Sequence, residues 1–526
     1  MEVVGSAVSD RMKYGVKPSA IRSENLLYNL KAVNGTSFSQ STSTDIIFEI
    51  PSMGNGYYCD VSNSYFRWKL TNQMSANYNG NAALRFERGP ESLIRRLQIT
   101  DANGNLLENI EHYNEVYGLT ELCTAPSNAR ATTGQFHGEY YKGLYDIARV
   151  AVDGTLIINP TLGPYYNQGS QQNKCIDHPD LGAVFACASA STANLISGAC
   201  TFTANATDSN YYITFQLLSG IFGAALDKYL PMSAINGMRI IITLENQVGS
   251  VMECGSQFAT YPVTLFTTTI NDPSLYLNMV RVDPTVDAAL IQSSTGPDGL
   301  IRIHTQTWST FSQTIPTGTT QYDYMIPIRV SSLKSIFFGF TRTAAAAAQP
   351  ADADTTYKGE ENGATVGAAT WTSAIMQLWG RFMDRMKAAW FQNNMSSYQF
   401  FIDGRPSPST AVNVEAVGCF SEAMTELARS WHVSQKTHDA NYLSLIPCDV
   451  GSTEWAKRNL IFGHELESFA SKDNVIESGY NTMNSQVQLR TTHSTATTGQ
   501  YNLRVYCLYD VFMTINPATG MIRTEF

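Results

Sequence analysis

With 526 residues, 43% of them hydrophobic and 11% aromatic, the chain is too long for one ordinary core, so two or more domains are expected. Only 15% of residues are charged, below the roughly 25% of an average globular protein, and Asn, Ser, Thr and Gly fill the gap, the composition of a turn-rich β protein. A formal net charge of -10 excludes a protein that wraps nucleic acid, because displacing counterions from phosphates takes a surplus of Lys and Arg.

Residues 1–40 are polar and read as an N-terminal arm held by partners, with a local basic excess from Arg11, Lys13, Lys17, Arg22 and Lys31. "STDIIFEIP" and "NSYFRWKLTN" alternate as strands, with "SMGNGYYCDV" as a turn-rich link between them. "GPESLIRRLQITDANGNLLENI" reads as a helical turn, a strand, a tight "ANGN" turn and a further strand or helix start. "IEHYNEVYGLTELC" then has helical spacing. Residues 124–210 are Gly-, Ser-, Asn- and Ala-rich, the pattern of an elaborated insertion.

Two strong strands, "YYITFQLL" and "MRIIITLEN", are joined by "SGIFGAALDKYLPMSAING". This link is apolar, marked by Gly220 and Gly223, and broken at Pro231, so it makes a poor solvent loop. It is expected to pack against an adjacent barrel or subunit. Gly220 and Gly223 would allow close backbone approach, while Phe222, Leu226 and Leu230 would be buried there. "YPVTLFTTTINDPSLYLNMVRVD" closes a first half that spans 41–284, and 285–300 reads as a linker.

The second half, 301–526, starts again with paired β runs around "IPTGTT" and a strand "SLKSIFFGFTRT". Residues 343–396 form a second insertion, with a short amphipathic helix at "IMQLWGRFMDRMKAAW". "SYQFFIDGRPSPSTAVNVEAVGCFSEAMTELARS" repeats the earlier order of strand, Gly turn and helix ending in Thr-Glu-Leu. "NLIFGHELESFASKDNVIESGYNTMNSQVQLRTT" mirrors the Gly-marked link. The order of features therefore indicates a duplicated domain. The predicted fold class is all-β: two tandem eight-stranded jelly rolls with short helices and long loop insertions.

Motifs for chemistry are sparse. There is no phosphate-binding loop, dinucleotide fingerprint or nucleophile elbow. Nine scattered cysteines, odd in number and without Cys-x-x-Cys, argue against a zinc knuckle or a disulfide framework, and point to free, mostly buried thiols in a soluble protein from a reducing compartment. No signal core or membrane-length apolar run is present. "CIDHPD" gathers Cys175, Asp177, His178 and Asp180, which Asx turns in an exposed loop explain as well as a divalent ion would. "HELES" lacks the second His of a zinc helix; as a strand it places Glu465 and Glu467 on one face, either facing solvent or as a carboxylate pair for sugar chemistry. His304 and His432 read as structural, and the tryptophans at 308, 371, 379, 390, 431 and 455 as core or interface anchors. No catalytic residue, metal site or cofactor is assigned.

Several segments, in order, resemble the double jelly-roll major capsid proteins of tailless icosahedral double-stranded DNA viruses, in particular those of polinton-like viruses and virophages. They are "KPSAIRSENLLYNL", "SLIRRLQITDANGNLLENIEHYNEVYGL", "FQLLSGIFGAALDKYLP", "DPSLYLNMVRVDPTV" and "RVSSLKSIFFGFTRT", and they span nearly the whole chain. The resemblance implies a non-enzymatic virion subunit made inside a host cell. Homotrimers of two-barrel chains would present a near-hexagonal outline and tile the facets of a shell around the genome. Partners would be further trimers, minor capsid and penton proteins and an inner membrane met by the arm, with no sequence-specific contact to nucleic acid. The alternative is a carbohydrate-binding or carbohydrate-active β-sandwich protein.

Overall fold

The computed structural model describes residues 22–39, 44–74, 78–80, 84–86, 90–124, 149–150, 156–157, 200–202, 207–223, 226, 228–245, 252–254, 266–316, 318–342, 390, 395–414, 421–431, 461–467, 478–494 and 501–526. The first half contains β1 (Ser23–Lys31), β2 (Asp45–Pro51), β3 (Tyr57–Met74), β4 (Ile94–Asp101), β5 (Leu106–Glu111), α1 (Tyr113–Thr124), β6 (Thr207–Phe215), β7 (Gly237–Leu244) and β8 (Phe266–Val282). After α2 (Pro284–Ser294), the second half contains β9 (Ile301–Thr314), β10 (Gln321–Ile326), β11 (Leu333–Arg342), β12 (Met395–Ile402), β13 (Arg405–Asn413), α3 (Ser421–Ser430), β14 (Phe462–Glu465), β15 (Val487–His493), β16 (Tyr501–Asn516) and β17 (Met521–Glu525).

Strand order makes the duplication explicit. The first half forms antiparallel sheets β1-β8-β3-β6 and β2-β7-β4-β5, and the second forms β9-β16-β11-β14 and β10-β15-β12-β13. Each of β9–β16 occupies the place of the strand eight earlier, and β17 adds an extra strand beside β16. Two facing four-stranded sheets in this order are a jelly roll, and the chain contains two. The helix that follows the hairpin partner strand also recurs, as α1 after β5 and α3 after β13.

Period-two burial fills the cores. In β2, Ile46, Phe48 and Ile50 point inward, and Ile240 and Ile242 of β7 meet them from the next strand. The ring of Phe66 lies 5.3 Å from Phe48 and 5.6 Å from Phe215, and Trp68 meets Phe215 at 4.6 Å. In the second barrel Phe338 is ringed by Tyr398, Phe400 and Phe462 at 5.0, 5.9 and 5.1 Å. Trp390 is fully buried against Gly339, where a Cβ would stand 2.5 Å from the indole.

Three sequence expectations are corrected. The first barrel begins at Ser23 rather than 41: Leu26, Tyr28 and Leu30 alternate onto its core and β1 pairs with β8 from Ser23↔Val282 to Lys31↔Ser274, so Ser23–Lys31 belongs to the barrel and not to an arm. "YYCDV" is not part of a link but the start of β3, with Cys59 and Val61 buried in the core. The 285–300 linker is largely α2. Asp283 caps it by accepting from the Thr285 N–H at 2.9 Å, Pro284 fits its first turn, and buried Asp287 accepts from the Gly56 N–H and the Tyr58 hydroxyl, each at 2.8 Å. The barrels are therefore joined by a pinned helix. Most of the two insertions, 124–210 and 343–396, and the amphipathic helix read at "IMQLWGRFMDRMKAAW" apart from Trp390, lie outside the described residues, as do Arg11, Lys13 and Lys17. Arg22 is exposed just before β1.

Candidate functional site

Among the described residues, a dense polar arrangement lies at the seam between the two barrels. Glu108 of β5 is at its centre, wholly buried. Its carboxylate accepts from the Gly220 N–H at 2.9 Å, from the Ser219 hydroxyl, and from the Thr307 hydroxyl of β9 at 2.5 Å. Thr305, two residues along the same strand and on the same face, donates to the Gly220 carbonyl at 2.5 Å, and Thr310 donates to the Glu111 carbonyl at 2.8 Å. One carboxylate thus satisfies donors from both halves of the chain.

Gly220 explains the greasy link. A Cβ there would stand 2.0 Å from the Gln306 carbonyl oxygen and 3.1 Å from Thr305 Oγ1, so the backbone of the link lies directly on β9. Gly223 has a local role: its Cβ would meet Leu217 O and Ser219 O at 2.4 and 2.5 Å, where the link folds back on itself. Phe222, Leu226 and Leu230 are 1–2% exposed within one chain and belong to its hydrophobic core.

A second bridge lies beside the first. Buried Glu115 of α1 accepts from the Tyr506 hydroxyl at 2.7 Å and lies 3.3 Å from Arg504 Nε, while Arg504 donates to His112 at 2.9 Å. Trp390 donates to the Tyr506 oxygen at 3.0 Å, so Tyr506 links the indole to the first barrel. Farther along, the Asn236 backbone and side-chain N–H groups donate to Gly520 O and Thr519 O at 2.9 and 2.7 Å. These contacts, with α2, weld the barrels into one block.

Burial drives the Glu108 carboxyl above the ordinary glutamate range, although the hydroxyls of Ser219 and Thr307 and the Gly220 N–H pull the other way. A carboxyl raised on folding binds its proton more tightly in the folded state, so its contribution to stability is greatest below the unfolded value near 4.5 and falls as pH rises to the folded value. Urea unfolding from pH 4.5 upward is expected to show wild type losing stability relative to Glu108→Gln, and parallel pH profiles would contradict this assignment.

The remaining candidates within the described residues are held by neighbouring side chains. Glu465 and Glu467 do not form a solvent-facing pair. The Glu467 side chain is buried 2.7 Å from Lys334, whereas Glu465 lies 3.6 Å from Arg429. A sugar cannot reach Glu467. His304 is held by Asp510 at 3.0 Å, and Trp308 and Trp431 pack at 6.0 Å between ring centres. The "CIDHPD" residues, His432 and the tryptophans at 371, 379 and 455 lie outside the described residues. Among the described residues, Cys59, Cys123 and Cys507 are buried, with burial pushing the Cys59 thiol up to about 12, no group of His, Cys, Asp and Glu is placed to hold a metal, and no helix is long and apolar enough to cross a membrane.

No protein-family model and no curated protein matches the chain. Among solved structures it is similar to a chain of the Sputnik virophage determined by cryo-EM, with a TM-score of 0.56 and 11% identity, covering 100% of this chain and 93% of that one. It is also similar to a chain of the PBCV-1 virus capsid, with a TM-score of 0.52 and 10% identity, covering 97% and 98%. At such identities the likeness is one of fold. The protein has the double jelly roll of viral capsid proteins.

Proposed function

We propose that this chain is a major capsid protein, a non-enzymatic building block of an icosahedral virion. The observation that carries the reading is the end-to-end match of both barrels, in order, to chains of virus capsids. The welded seam supports it, since a tile must hold its two barrels at a fixed spacing and angle. In this reading three chains form a homotrimer with six similar lobes and a near-hexagonal outline, and the trimers tile the facets of a shell enclosing double-stranded DNA.

Contacts within such a trimer would be of the obligate class, burying roughly 2,000 Å² or more, while contacts between trimers can each be weak because many act together. The arm before Ser23, with Arg11, Lys13, Lys17 and Arg22, would face inward to neighbouring trimers, minor capsid and penton proteins or an inner membrane. The acidic body, at a net charge of -10, would leave the genome untouched. Light scattering on the purified full-length chain is expected to give about three times the 57.9 kDa chain mass. A monomer that persists at high concentration would remove this reading and favour the carbohydrate-binding alternative.

A further inference from the structure

The second barrel contains a buried charged cluster that neither the seam nor the shell requires. Lys334 interrupts the apolar run of β11 at a bulge: Leu333 pairs with Tyr509 and Ser335 with Leu508, leaving Lys334 as the extra residue. A bulge re-aims a side chain. This one brings the ammonium, 7% exposed, to 2.7 Å from Glu467 Oε1 and 3.4 Å from Asp510 Oδ1, on two carboxylates whose side chains are 0% exposed. Ser332 donates to Asp510 Oδ2 at 2.6 Å, His304 Nε2 lies 3.0 Å from Asp510 Oδ1, and Ser478 donates to Glu467 Oε1 at 3.0 Å.

Stripping water from one cation and two anions is costly, and replacing such a cluster by apolar residues is often neutral or stabilising, so ion pairing alone is a weak reason to build it. The arrangement fits a reaction better. A primary amine lies against a carboxyl on the adjacent strand, a second carboxylate touches the same nitrogen, and a hydroxyl and an imidazole hold the two oxygens of the carboxyl under attack.

We propose that Lys334 and Asp510 condense into an intramolecular isopeptide bond, with Glu467 carrying the protons. Glu467 takes a proton from the ammonium, and the freed lone pair of Nζ attacks Cγ of Asp510, forming the N–C bond. Negative charge on Oδ2 is held by the Ser332 hydroxyl. Glu467 delivers that proton, and the next one lost by nitrogen, to Oδ1. The Cγ–Oδ1 bond then breaks and Oδ1 leaves as water, while Oδ2 remains as the amide oxygen. An ammonium and a carboxylate thus become an amide and one water, and Glu467 ends ionised as it began. The His304 side chain, 28% exposed, opens a route for that water to solvent.

Burial favours the neutral acid of Asp510, but the bonds from His304 and Ser332 and the charge of Lys334 outweigh it and hold the carboxyl below its ordinary range. Condensation is a single event after folding. The product staples β11 to β16 across the sheet and closes a loop that contains most of the second barrel, constraining the unfolded chain in the manner of a long-range disulfide.

Intact-mass spectrometry of the denatured full-length protein tests this without any variant. The expected mass is one water below that of the sequence, and a protease digest should yield a branched peptide joining the segments around Lys334 and Asp510. A wild-type chain at full mass, or a water loss mapped elsewhere, overturns the proposal. Glu467→Gln, with folding checked by circular dichroism, should have full mass and no branched peptide, and a cross-link that still forms overturns the role given to Glu467. Lys334→Arg should likewise have the full mass of its sequence, and any water loss it retains counts against Lys334 as the amine.

Discussion

Gly220→Ala is expected to lower the unfolding free energy by about 3 kcal/mol, at the upper end of overpacking costs. The added methyl would stand 2.0 Å from the Gln306 carbonyl oxygen and 2.9 Å from its carbon, and both atoms belong to the backbone of β9, where no rotamer change can make room. Relief requires the link from 219 to 223 to lift off the second barrel, breaking the Thr305 bond to the Gly220 carbonyl and the Glu108 bond to its N–H. Gly54→Ala is the control: nothing lies within 4 Å of the position its Cβ would take, and an exposed substitution of this kind stays within about 0.5 kcal/mol. Urea unfolding of the two variants separates a seam defect from a general glycine effect, and equal stabilities would contradict the seam.

Glu108→Ala is expected to cost about 4 kcal/mol, because it strands three buried donors at once and each unsatisfied group costs about 1–3 kcal/mol. Those donors are the Ser219 hydroxyl, the Gly220 N–H and the Thr307 hydroxyl, contributed by two barrels. Part of the loss is returned, since a carboxyl whose ionisation is opposed by burial no longer has to be accommodated. Glu108→Gln retains a carbonyl acceptor and resembles the neutral acid that burial favours, so it should cost only about 1 kcal/mol. The ordering of Ala and Gln in denaturant titrations checks the claim, and an alanine variant as stable as the glutamine one would show that the carboxylate is not the shared acceptor.

Much of the architecture was legible because it is local. The run "IRRLQITDANGNLLENI" carries its own strand alternation and its own turn, where the Asp101 carboxylate accepts from the N–H groups of Asn103 and Asn105 at 2.9 and 2.8 Å and Gly104 adopts φ of 86°. Its counterpart at Met395–Asn413 has the same order, which made the duplication readable despite low identity. β1 and α2 were missed for opposite reasons. The alternation of Leu26, Tyr28 and Leu30 was present but diluted by Asn25, Asn29 and an exposed Leu27. Asp283-Pro284 is a helix start that stood next to a crossover and read as a break.

The sites were less legible, because their partners are distant in sequence. Glu108 in "LLENIE" looks like any surface glutamate until Ser219 and Thr307 fold onto it. The period-two pair Thr305 and Thr307 was the available signal for the face that β9 turns to the first barrel. Lys334 was visible as a cation inside an apolar strand, but nothing in "SLKSIFF" shows that Glu467 and Asp510 await it. The glycine-marked link stands out by its apolar character, but nothing in it shows that Gly220 lies on the Gln306 backbone of β9.

The central claim is that a double jelly roll welded at this seam is a tile of a virus shell. Electron micrographs of the purified native oligomer in top view test it most directly. The account predicts a threefold particle with six lobes and a near-hexagonal outline, two lobes from each chain. Isolated two-lobed particles, or an elongated trimer with a single tip, would contradict it.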